Sequence, residues 1–396
     1  MPDRTDSSPT VPLALFAKGF RPFFLLAALW AVVSVPLWLF VQSGHVRLGA
    51  YLIPTDWHAH EMVFGFAAAV IAGFLLTAAG NWTKRETATG ALLIGLCLLW
   101  IAGRVALLAA GVLPPALVAA ANLAFLPALA LVVGRAIFGA KSRRNYGIVA
   151  AIVALFGAQL LSHLGALEGD LLLQRRGTRL GVDLVLVLIA VVGGRVIPLF
   201  TRNATGASGI ESDRRIDLLA IASVVAVGAA DAIWLYGPIL GALAALAAVL
   251  NALRMRRWGV QHTAREPMLW VLHAGYAFLP IGLALRAVAE LTSAVQASAA
   301  LHALTVGCIG LLILGMMARV TLGHTGREIK ASRLVTAAFV LLLAGTLFRT
   351  LGPMIGPRVS TSAIHSASGV WSLAFLLYLV RLGPFLLRPR PDGRPG

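Results

Sequence analysis

The chain of 396 residues is 59% hydrophobic and only 12% charged, with a mean hydropathy of +0.86, which leaves too few polar side chains to cover a soluble protein of this size. Its surroundings are therefore mostly lipid. A backbone in lipid must satisfy its own hydrogen bonds, and without strand-like alternation that means an all-α polytopic transmembrane helix bundle and not a barrel. The formal charge of +17 is spread over short loops between apolar runs, which excludes a nucleic-acid surface and makes membrane lipid the partner of those charges.

In chain order, residues 1–22 form a polar arm that opens MPDRTDSSPT. The apolar run after it lacks a small-residue cleavage site and reads as an anchor. Stretches of roughly 18 to 24 residues, enough to cross a hydrocarbon core of about 30 Å, are predicted near 23–41, 59–79, 90–111, 115–138, 147–168, 179–199, 217–236, 238–256, 267–290, 297–320, 333–353 and 361–382. They make one twelve-helix domain over residues 23–382, with a tail at 383–396.

Lysine and arginine give an independent check. With both termini cytoplasmic, 23 of the 33 fall on the inner side and five in outer loops (Arg47, Arg175, Arg176, Arg179 and Arg358). The last five, Arg104, Arg135, Arg195, Arg286 and Arg349, lie within spans. That is a strong positive-inside bias. The exception is the predicted outer loop at 165–180, where Glu168 and Asp170 only partly offset three arginines.

This topology places the histidines by depth. His58, His60, His302 and His365 lie near the outer ends of spans two, ten and twelve, and His163 near that of span five. His45 is in the first outer loop, His273 about a third of the way up span nine, and His262 and His324 in inner loops. A neutral imidazole ligates haem iron or copper, and bundles build such sites from facing helices. Four imidazoles at one depth on three helices point to a shared haem or metal site. Taken singly, each is also explained as an interfacial histidine bonded to a carbonyl.

His58 and His60 are about 200° apart on a helix, so only one of them points at a given centre. With Asp56 as N-cap and Trp57 at the interface, His60 is the deeper ligand candidate, and Glu61 beside it orients a histidine or relays protons. Thr361, His365, Ser368 and Ser372 form a polar stripe along span twelve, which predicts an inward face. His273 and Tyr276 share a face of span nine, so the phenol is a candidate partner for a bound ligand. Arg286 and Glu290 are spaced to pair, and Asp183, Arg195 and Asp231 read as bundle ion pairs or a proton path. His60 and His302 each open a helix as His-x4-Gly-x7-Gly, an echo credited to glycine packing. Cys97 and Cys308 sit in apolar runs as small core residues. No P-loop, HExxH or Ser/His/Asp pattern supports a hydrolase or nucleotide-driven activity.

Several stretches together resemble the NnrS family: GFRPFFLLAALWA at 19–31, WHAHEMVFGFAAAVIAGFLLTAAGNWT at 57–83, GGRVIPLFTRNA at 193–204, LHAGYAFLPIGLALR at 272–286 and LHALTVGCIGLLILGMMARVTLGHTGR at 301–327. The resemblance implies a multi-pass protein of the bacterial inner membrane that contains haem and copper, linked to nitric oxide metabolism and nitrosative-stress resistance. Its small-molecule ligand would be nitric oxide or a nitrosyl-iron species; no electron donor is identified. The family's histidines fall on His58, His60, His273, His302 and His324, and topology adds His365. His60 and His302 are expected as axial haem ligands and His58 or His365 for copper, with Glu61, Arg195 and Arg286 as proton-relay or supporting groups. The placement of His60 and His302 is similar to the haem ligands on helices two and ten of haem-copper oxidases, but spans six and seven hold no histidine for an oxidase-like copper site. The alternative is a proton-coupled transporter using the intramembrane His, Glu, Asp and Arg residues.

Overall fold

In a computed structural model, residues 14–49, 51–292 and 294–393 are described, and among them the regular structure is entirely helical. Residues 1–13 of the predicted arm and the last three of the tail lie outside the described residues.

Twelve long helices follow one another: α1 (Phe20–Gln42), α2 (Pro54–Thr83), α3 (Gly90–Leu108), α4 (Pro115–Gly139), α5 (Tyr146–Glu168), α6 (Leu171–Thr205), α7 (Arg214–Ala232), α8 (Pro238–Met255), α9 (Pro267–Thr292), α10 (Ala297–His324), α11 (Arg333–Ile355) and α12 (Pro357–Leu387). Eleven are long and apolar enough to cross a membrane. The remaining one, α7, is of similar length but carries Arg214, Arg215, Asp217 and Asp231.

The predicted loop at 165–180 is corrected. Asp170 accepts hydrogen bonds from the backbone of Leu172 and Leu173, which caps α6 and carries it through all three arginines. Those arginines find partners within the bundle. Arg175 pairs with Asp56 at 3.1 Å, Arg179 with Asp231 at 3.4 Å, and Arg176 lies 4.8 Å from the ring of Trp234. Paired this way, they carry little weight as topological signals.

Most neighbours in sequence pack side by side, and α1 closes the bundle against α12. Arg21, in the GFRPFF stretch, is buried and donates to the carbonyls of Phe385, Leu386 and Arg388, satisfying the end of α12 with a cation where the helix dipole favours one.

Helices α2 and α10 occupy the middle. Of their most apolar stretches 78% and 72% is buried, against 39% for α1. Each contains a π-helical segment, Glu61–Ala67 in α2 and Ala303–Gly310 in α10, and each segment begins directly after a histidine, His60 or His302. A π turn inserts a residue and rotates the faces on either side of it, and such turns recur at functional sites. Small residues let the neighbours close in: a Cβ on Gly307 would fall on the ring of Phe278 in α9, and one on Gly65 would lie 3.0 Å from Glu61 and Trp30.

Candidate functional site

A cavity of about 300 Å³ opens between α2 and α10 in the half of the bundle away from the termini, the side the arginine bias assigns to the outside. Its apolar body comes mainly from Val35, Trp38, Met62, Phe66, Val185, Ile309 and Trp371, and its polar groups are Thr55, His58, His302, Ser298, Thr305, Ser368 and Arg349. Mostly apolar walls with a few converging polar groups are the character of a small-molecule or cofactor site.

The two imidazoles are held differently. Nδ1 of His302 is 2.7 Å from the carbonyl of Ser298; a carbonyl only accepts, so Nδ1 carries the hydrogen and Nε2 the free lone pair. His58 stacks on Trp38 with ring centres 4.5 Å apart, and its Nδ1 is buried with no hydrogen-bond partner. Arg349 donates to the Ser298 hydroxyl at 2.9 Å and makes no ion pair among the described residues. The cavity therefore offers two imidazoles and an unneutralised guanidinium. A second cavity, apolar and of about 120 Å³, shares Val185 and Ile309 with the first.

His60, expected in this cavity, turns away from it. The two histidines do diverge as the helical period requires, but α2 is buried on both faces, so depth alone did not choose between them. Its helix also starts at Pro54 with Ile53 as N-cap, and Asp56 serves instead as acceptor for Gln174 and Arg175. Nε2 of His60 faces Nε2 of His163 in α5 at 3.1 Å. Its Nδ1 is 3.0 Å from Glu61, whose other oxygen lies 2.8 Å from Nε of Arg104. Nδ1 of His163 meets the Tyr51 hydroxyl at 2.7 Å. Sequence reasoning gave no role to His163, Tyr51, Arg104 or Arg349. The intramembrane position of the two arginines was the available signal.

The other predicted residues do not join the cavity. His365 is exposed on α12, one residue off the face formed by Ile364, Ala367, Ser368 and Trp371. His324 ends α10 at the opposite end of the bundle, its ring 5.6 Å from Phe20. His273 bonds Thr201 at 2.9 Å. Tyr276 donates to Asn251 and accepts from Arg254, which also bonds Asp217, so this phenol serves a polar network between α6, α7, α8 and α9 and not a ligand. Arg195 is exposed. Arg286 pairs with Asp231 on α7 and not with Glu290, whose carboxylate instead accepts from the backbone of Gly237. Asp183 and Asp231 thus belong to a paired cluster with Arg179 and Arg286. Cys97 and Cys308 are free and buried.

Compared with known proteins, the chain matches the family model described as NnrS protein over residues 14–390. A search among curated proteins finds no match. With a two-histidine cavity at the centre of a bundle of membrane-spanning helices, and a match over nearly its whole length, this chain belongs to the NnrS family and is a multi-pass membrane protein of the nitric oxide response.

Proposed function

We propose that the cavity between α2 and α10 holds a haem, with His58 and His302 as the imidazoles for its iron, and that the protein binds or turns over nitric oxide or a nitrosyl-iron species there, in a bacterial inner membrane. The observation that carries this reading is that the two imidazoles, from the two central helices, line one cavity beside an arginine that makes no ion pair among the described residues. Bound there, a haem supplies an iron that takes up nitric oxide.

The residues fit such a group. Arg349 suits the propionate carboxylates, because a charge-assisted pair is strong and a half-buried guanidinium gains from one. His302 presents Nε2 in one orientation, and its bonded Nδ1–H makes that nitrogen the better donor. His58, held only by stacking on Trp38, is the less firmly fixed of the two. Nitric oxide is small and apolar, so a wall shared with the apolar second cavity suits its entry. The paired charges of Arg179, Asp231 and Arg286 fit a static framework better than a transporter's relay.

Copper, the other implied group, finds no cluster of three or more His, Cys, Asp or Glu side chains among the described residues. Full-length protein purified in detergent should show a Soret band that shifts when nitric oxide is added to the reduced sample. Colourless, iron-free protein with an intact melting transition contradicts the reading.

A further inference from the structure

We infer that a polar cavity at the outer end of the bundle, apart from the haem cavity, is a binding site for the phosphodiester group of a glycerophospholipid.

The cavity, of about 220 Å³, lies between α6, α9, the first turn of α10 and the loop that joins α7 to α8. Arg175, Arg176 and Arg179 of α6 form one wall. At their spacing they fall within about 100° of one another around the helix, so all three stand on the same side.

Their protein partners take up only part of them. Arg175 meets Asp56 through Nε, at 3.1 and 3.2 Å, and Arg179 meets Asp231 through Nε at 3.4 Å. Arg176 has no carboxylate partner among the described residues; it stacks on Trp234, and its Nε is buried without an acceptor. No hydrogen bond among the described residues uses an Nη of any of the three, which leaves both Nη groups of each for something outside the chain. Nε1 of Trp234 also has no acceptor.

The other charges around the cavity are already engaged. Arg286 and Asp231 pair with one another, and Glu290 accepts from the backbone of Gly237 at 2.9 Å. Asp183, 3.9 Å from Nε of Arg179, is buried and does not line the cavity. The surplus is therefore one of donors, and their natural complement is an oxyanion. A guanidinium fork matches two oxygens of a phosphate, and such charge-assisted bonds are among the strong ones.

The setting makes that phosphate a lipid's. Ile233, Ile239 and Leu291, next in sequence or nearly so to Trp234, Gly237 and Glu290, are exposed apolar side chains. Trp234 and Tyr236 are residues of the kind that sit at the level of lipid headgroups. A phosphodiester seated on the arginines brings its glycerol and acyl chains against this apolar rim, whereas a free phosphate ion gains nothing from it.

The test uses full-length protein purified in detergent and stripped of lipid, titrated with phosphatidylglycerol, with diacylglycerol and with inorganic phosphate, the bound species being read by native mass spectrometry. One retained phosphatidylglycerol per chain is expected, with no diacylglycerol, and inorganic phosphate should not displace the lipid. Arg176→Gln should weaken retention about tenfold, because it removes a charged donor. Arg176→Lys should recover part of that loss, and Arg47→Gln, at an exposed arginine of the first outer loop, should change nothing. Diacylglycerol retained as well as phosphatidylglycerol, displacement of the lipid by inorganic phosphate, or wild-type retention in Arg176→Gln overturns the assignment. The comparison of the three ligands on the wild type decides even if a variant fails to fold.

Discussion

His60 in α2 and His302 in α10 hold matching positions, each the last residue before a π-helical segment in one of the two most buried helices. Their surroundings differ: His302 lines the central cavity, and on α2 that place belongs to His58, while His60 faces His163. Substitutions at these matched positions should therefore have different consequences.

Arg349→Gln should weaken haem binding. Removing a charged donor costs about 2 kcal/mol, or roughly thirtyfold in affinity, and Arg349→Lys should recover part of it. Haem titration of the stripped protein measures the change, and an unaltered affinity would mean that the guanidinium does not meet the propionates.

Arg286→Ala should destabilise the bundle by about 3 kcal/mol, because it leaves the Asp231 carboxylate, whose side chain is only 6% exposed, with only the more distant Arg179. Adding Asp231→Ala to that variant should restore part of the loss, since removing both charges costs less than stranding one. Melting of the purified variants provides the comparison.

Gly177→Ala should also lower the melting temperature, by an amount equivalent to about 2 kcal/mol. A Cβ at Gly177 in α6 would run into the backbone nitrogen of Ser162 and the carbonyl of Ala158 in α5, and backbone atoms cannot rotate aside. The same substitution at Gly157, where a Cβ meets nothing within 4 Å, is the control.

Tyr51, in the loop between α1 and α2, has its phenol pushed up to about 12 by burial, from an ordinary value of 10.0. Below pH 10 the group is neutral in both folded and unfolded chains, and its contribution is constant. Between pH 10 and 12 the unfolded chain ionises first, so stability falls as pH rises. Melts of wild type and Tyr51→Phe should differ by a fixed amount up to about pH 10, and the wild type should then lose ground.

Hydropathy made most of the fold legible, because a span of lipid demands a set length of apolar residues and a helix satisfies it locally. All twelve predicted spans coincide with long helices, although α7 carries more charge than a membrane span usually tolerates. The arginines at 175, 176 and 179 misled because Asp170 caps the helix before them and their partners, Asp56, Trp234 and Asp231, lie on other segments. The site was legible only in part. Periodicity fixes the angle between His58 and His60 but not which way α2 is turned, so it separated the two without assigning the cavity. The stripe of His365 and Ser368 failed for the same reason: Ser368 lines the cavity and His365 points away. The π segments EMVFGFA and ALTVGCIG have no sequence signature, and only the shared His-x4-Gly-x7-Gly spacing hinted that α2 and α10 correspond.

The central claim is tested most directly by haem content in three variants purified side by side. The account predicts that the Soret absorbance is lost in His302→Ala, reduced in His58→Ala and retained in His60→Gln, all with intact melting transitions. Loss in His60→Gln together with full retention in both His302→Ala and His58→Ala would contradict it.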